Sequence, residues 1–145
     1  MIYKDFLMTV TKCPFCDVSQ DRIIENNDLG ILTYSIAPYH KHHMMVVPLR
    51  HIEDLKDVTE AETSAIDKLL RRGVLMLESL GYQDYTIIVR NGDHVGKSIK
   101  HLHYHVVPSV VIGDVDHNGD ERVVLTGEEA DEVVGELKKV SESLK

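Results

Sequence analysis

His101-Leu102-His103-Tyr104-His105-Val106-Val107-Pro108 is the most informative stretch of this 145-residue chain. Alternate residues of an extended segment share a face. His101, His103 and His105 therefore project one way, and Leu102, Tyr104 and Val106 the other. The pattern reads as a strand over His101 to Val111 (HLHYHVVPSVV). On residue types alone, three imidazoles on one face suit a solvated surface, a metal site, or nucleophilic and acid–base catalysis. Directly upstream runs Asn91-Gly92-Asp93-His94-Val95-Gly96-Lys97-Ser98. Its glycines let backbone N–H groups approach an anion, while Ser98 offers a hydroxyl and Lys97 a positive charge. The juxtaposition looks like a phosphate cradle beside a nucleophile.

Tyr85 to Arg90 (YTIIVR) reads as the strand before this loop. Before it, Ile66, Leu69, Leu70, Val74 and Leu77 recur at helical spacing. Thr59 and Glu62 form a capping box at the start of that helix, and Gly81 stops it. Met44 to Leu49 (MMVVPL) is an apolar strand ended by Pro48. Arg22 to Ile36 reads as two strands around a turn at Asn26, Asn27, Asp28 and Gly30. Residues 1–20 read as irregular. Ile112 to Glu121 reads as a turn-rich loop that includes His117. A second box, Thr126 with Glu129, opens a closing helix carrying Val133, Val134, Leu137 and Val140. The order is strands, helix, strands, helix. It predicts one α+β domain over residues 1–145, an antiparallel five-stranded sheet with two main helices. His40 and His42 read as solvent-facing, and the acidic residues of both helices as solvated faces.

Composition narrows the function classes. The net charge of −8 argues against non-specific nucleic-acid binding, though not against a small phosphate ligand in a local pocket. No apolar run approaches the ~20 residues of a membrane span, and MIYKDFLMTV lacks the apolar core of a secretory signal. The chain is expected to be cytoplasmic. Its two cysteines, Cys13 and Cys16, are spaced C-x-x-C, which fits metal binding, thiol redox chemistry or neither.

HLHYHVV resembles the His-φ-His-φ-His-φ-φ signature (φ apolar) of the histidine-triad (HIT) nucleotide hydrolases and transferases. Three further segments support the resemblance. His43 precedes an apolar run ending in Pro48; GKSIK is similar to the family's phosphate loop; CPFC is similar to the C-x-F-C of many prokaryotic members. Together these cover most of residues 13–111, and the tail from about residue 112 matches little. The resemblance implies the HIT-like fold, and a homodimer whose two sheets join into a continuous ten-stranded one. It implies that His103 attacks an α-phosphorus to form a nucleotidyl-histidine. His105 then faces the phosphate oxygens or the leaving group. Backbone N–H groups near Gly96 and the Ser98 hydroxyl stabilise developing charge, and His43 lines the same pocket. Zinc-bearing members imply a structural Zn²⁺ on Cys13, Cys16, His51 and His101, pinning residues 1–20 to the sheet; residues 112–145 form the loop and C-terminal helix.

This chain departs from the family pattern where substrate is read. Lys97 stands where Gln is usual. Ser35 occupies a position often taken by Asp or Asn toward the ribose. The usual Asn before the loop is Arg90, unless the register shifts onto Asn91. The substrate classes implied are dinucleoside polyphosphates and nucleoside phosphoramidates, with water or phosphate as acceptor. A rival of another class is a glutaredoxin-like thiol oxidoreductase at Cys13 and Cys16, since CPFC also resembles C-P-Y-C and VVPSVV that family's T-V-P segment. Against it, DVSQDRIIENND is a poor helix to follow a redox pair.

Overall fold

In the computed structural model, residues 1–111, 113 and 122–145 are described. Five strands form one antiparallel sheet: β1 (Ile23–Asn26), β2 (Gly30–Tyr34), β3 (Met44–Pro48), β4 (Tyr85–Val89) and β5 (Tyr104–Pro108), in the order β1-β2-β3-β5-β4. Among the described residues the helices are α1 (Tyr3–Thr9), α2 (Glu60–Ser79) and α3 (Gly127–Ser143). None is long and apolar enough to cross a membrane.

Local chemistry explains the joints. Asn27 Oδ1 accepts from the N–H groups of Leu29 and Gly30 (3.1 and 2.9 Å), closing the β1–β2 turn. A Cβ on Gly30 would stand 3.2 Å from Leu69 Cδ1 and 3.3 Å from the Val47 carbonyl, so only glycine lets α2 press on the sheet there. Both bonds of the Thr59–Glu62 box are present at the start of α2. Thr126 caps α3 by accepting from the Glu129 N–H. The Glu129 carboxylate, however, takes the Thr126 hydroxyl at 3.2 Å, so this second box is only half made.

The sheet separates two apolar layers. Leu32, Met44, Val46 and Val106 meet Ile66, Leu69, Met76 and Leu77 of α2 and Val133, Val134 and Leu137 of α3. Ile31, Met45 and Val47 face the other way, where Phe15 and Ile99 cover them. Strand periodicity puts His105 on this second face, opposite the two long helices.

Four sequence-based expectations are corrected. Residues 3–9 are helical, not irregular. Seven residues cannot sustain a helix alone, and tertiary bonds hold this one: Tyr3 N–H donates to the Arg122 carbonyl (2.6 Å), and Val124 N–H to that of Met1 (2.9 Å). The triad strand begins at Tyr104 rather than His101, because Leu102 N–H turns aside to the Ile52 carbonyl (2.6 Å). At its far end Ser109 adopts φ 57° and breaks the ladder. Not every helical acid is solvated: Glu62 is buried against Arg50, and Glu136 binds His42. His42 is itself buried, not solvent-facing, with Nδ1 2.6 Å from the Tyr82 hydroxyl and Nε2 2.9 Å from Glu136 Oε1. Residues 112 and 114–121, including most of the expected loop and His117, lie outside the described residues.

Candidate active site

The chemistry gathers in an open cleft on the sheet face opposite α2 and α3. His103 and His105 line it with 4.8 Å between ring centroids. Their hydrogen bonds give them opposite tautomers. The His101 carbonyl, 2.7 Å from His103 Nδ1, can only accept, so His103 carries its proton there and keeps a lone pair on Nε2. His105 is set by a longer chain. Tyr39 N–H donates to His43 Nδ1 (3.1 Å), which places the His43 proton on Nε2. That nitrogen donates to His105 Nδ1 at 2.9 Å, so the His105 proton resides on Nε2. One ring thus offers a lone pair and its neighbour a proton.

Burial keeps the rings neutral. It pushes His103 down to about 4, against the opposing pull of its carbonyl bond. Burial also drives His43 and His105 well below the ordinary imidazole range. The cations of Arg90 and Arg122 add to the effect on both.

The residues expected around the triad separate into two groups. Gly96, Lys97 and Ser98 line the cleft, and so does buried Ser35. Gly96 has φ 83°, a conformation that suits glycine. The Ser98 hydroxyl is 2.7 Å from that of Tyr3, so α1 reaches the loop. Lys97 Nζ donates to the Glu53 carbonyl at 2.6 Å. Buried His43 is hydrogen-bonded to His105 and does not itself line the cleft, contrary to expectation. Asn91 is turned away, accepting from Leu55 N–H at 2.7 Å, and Arg90 takes the cleft position instead. Tyr3 and Arg122 also line the cleft and were not singled out in the sequence. They lie outside the motif, one on a short helix and the other beyond the triad strand, and carry no local signal.

His101 turns toward the cysteines. Its Nε2–H donates to the Pro48 carbonyl (2.8 Å), which leaves Nδ1 facing Cys13 Sγ (3.4 Å) and Cys16 Sγ (3.5 Å). Cys16 Sγ is 3.2 Å from His51 Nδ1. The four donor atoms lie within 4.8 Å of one another. Tetrahedral zinc with sulfur and nitrogen ligands needs donors about 3.6 Å apart, so the set fits that ion. The Pro48 carbonyl behind His101 and Glu53 Oε2, 3.6 Å from His51 Nε2, are second partners of the kind that orient metal-binding imidazoles. The thiol-oxidoreductase reading fails on structure. Cys13 and Cys16 occupy turns between α1 and a 3₁₀ turn at Gln20–Arg22, and among the described residues no helix of the chain starts directly after them.

Comparison with known proteins agrees with this geometry. The HIT domain family model matches residues 17–110, more than half of the chain. An uncharacterized HIT-like protein of Methanocaldococcus jannaschii is 31% identical over 134 residues, spanning 87% of this chain and 98% of that protein. The adenosine 5'-monophosphoramidase HINT3 of Mus musculus is 34% identical over 109 residues, 69% of this chain and 65% of the mouse protein. Among solved structures, a Zn-bound histidine triad family protein from Mycobacterium smegmatis superposes with a TM-score of 0.71 at 21% identity, covering 95% of this chain and 96% of that one, a likeness of fold. With its family model matched over the segment that carries these imidazoles, the chain belongs to the HIT family.

Proposed function

We propose that this protein is a nucleotide phosphohydrolase or nucleotidyltransferase that attacks the α-phosphorus of a nucleotide conjugate through His103. The opposite tautomers of His103 and His105 carry the reading. His103 Nε2 forms a bond to phosphorus while the bond from phosphorus to the leaving atom breaks. The departing atom keeps the electron pair and accepts a hydrogen bond from the His105 Nε2–H, with any proton it needs drawn from solvent. An incoming water then bonds through its oxygen to phosphorus, giving up a proton to solvent, and the His103–phosphorus bond breaks to release the nucleotide. The Gly96–Ser98 loop lines the same cleft, and its backbone N–H groups and the Ser98 hydroxyl would stabilise the phosphoryl oxygens. Inorganic phosphate in place of water makes the same cycle a phosphorolysis, and three cations at the cleft, Arg90, Lys97 and Arg122, suit such an acceptor.

Cys13, Cys16, His51 and His101 would hold a structural zinc, which would brace the N-terminal segment against the sheet. The same reading includes a homodimer through β4 and α2.

The test is His103→Ala against adenosine phosphoramidate and diadenosine polyphosphate, with and without inorganic phosphate. Turnover should fall by about three orders of magnitude or more while the protein stays folded. Alkali-quenched wild type with a labelled α-phosphate should retain label on His103. Near-normal turnover in the variant refutes the mechanism.

A further inference from the structure

Arg122 reaches the cleft from the chain beyond the triad strand, outside residues 17–110 matched by the family model. Its guanidinium carbon lies 4.1 Å from the Tyr39 ring centroid and 4.9 Å from that of Tyr3, and Nη1 donates to the Ala37 carbonyl. A planar cation between two aromatic rings is held in one orientation.

A chain of contacts places it relative to the reacting histidines. Tyr39 stacks on His43 at 5.5 Å and 19°, and its N–H binds His43 Nδ1. His43 Nε2 in turn holds His105. Arg122 therefore stands on the His105 side. Lys97 stands on the other, tied to the carbonyl of Glu53, whose carboxylate adjoins His51. Arg90 packs beneath Gly96, where a Cβ would meet its Nε at 3.5 Å. The cleft thus gathers three cations in a chain of net charge −8. Among the described residues no carboxylate lines it.

We propose that Arg122 is a specificity-determining residue that selects substrates whose leaving group begins with a phosphate, as in dinucleoside polyphosphates, over those that release a neutral amine. The inference rests on the roles given above to His103 and His105. The leaving group departs on the side of the His105 Nε2–H. There the bridging P–O bond breaks, its electron pair stays on the departing oxygen, and that oxygen accepts a hydrogen bond from His105. The next phosphate presents oxygens that match the guanidinium fork, whereas a neutral amine presents no anion for it to bind. An acceptor enters where the leaving group left, so inorganic phosphate would use the same cation.

The experiment compares kcat/KM for diadenosine tetraphosphate and adenosine 5'-phosphoramidate in the full chain. Arg122→Met should lower the ratio of the two by about 10–100-fold, the range expected for losing a charge-assisted bond. Arg122→Lys, which keeps the charge but not the fork, should give an intermediate ratio. Inorganic tripolyphosphate, used as a competitor of phosphoramidate hydrolysis, gives a readout that does not need the methionine variant to fold. It should inhibit wild type several-fold more strongly than Arg122→Lys. A ratio unchanged within about twofold in Arg122→Met, or equal inhibition of wild type and Arg122→Lys, overturns the proposal and leaves His103 chemistry standing. Absence of label on His103 with either substrate overturns both.

Discussion

His101 joins two devices through one residue. Its ring faces the cysteines, and its carbonyl binds His103 Nδ1, so whatever fixes His101 also fixes the His103 ring. Metal analysis of protein purified without chelator should find about one zinc per chain. Cys13→Ser should lower both zinc content and Tm. It should also reduce kcat more than it raises KM, because the ring that loses its anchor is the proposed nucleophile. Metal-free protein with an unchanged Tm refutes the zinc site. At this scale the sequence was legible where partners are close in the chain or carried by a motif. The triad announced itself by period-2 spacing, and the ligand set followed from resemblance. His42 was misread because its partners, Tyr82 and Glu136, lie 40 and 94 positions away. No local pattern separates a buried, doubly bonded histidine from an exposed one.

Helix α2 is the element whose start was written most plainly, since a capping box is made by residues three apart. The structure adds a tertiary role. Glu62 accepts from Thr59 N–H and also from Arg50 Nε and Nη2, tying the end of β3 to the first turn of α2. Arg50 holds the Glu62 carboxyl at about 2, below its usual 4.5, with the Thr59 bonds assisting and burial opposing. A depressed carboxylate pKa contributes stability above the unfolded value, lost as pH falls through the folded one. Glu62→Gln should therefore cost about 1 kcal/mol at pH 7, a cap-sized effect given that Arg50 is half exposed. Denaturation curves of the two proteins should converge between about pH 4.5 and 2; a gap that stays constant over that window contradicts the assignment. Helix α1 is the opposite case. It owes its existence to bonds with the segment around Arg122, more than a hundred residues away, and so left no periodic trace.

At the scale of the whole molecule one edge stands apart. Among the described residues strand β4 pairs only with β5, leaving its outer backbone groups without a neighbouring strand. Its register, Tyr85 with Pro108 and Ile87 with Val106, puts Tyr85 and Ile87 on the helix-bearing face. Both are exposed there, at 49% and 41%, beside Leu70, Val74 and Leu75 of α2. The helix face is narrower than its composition suggests, since Met76 is fully buried and only Leu75 of that pair points outward. Helix α3 does not cover the shelf: it packs over β1 and β2 on the far side of the sheet order. An apolar shelf joined to an open strand edge is an association hazard unless something seats on it. A second copy fits, because a two-fold axis through this edge would pair β4 with β4 and lay one α2 against the other. The two five-stranded sheets would then run on as one of ten. Light scattering at micromolar concentration should give twice 16.4 kDa for the wild type. Ile87→Lys places a charge on the shelf at a position exposed enough for the monomer to tolerate, and should return the mass to 16.4 kDa with the fold intact. A wild-type mass of 16.4 kDa refutes the dimer.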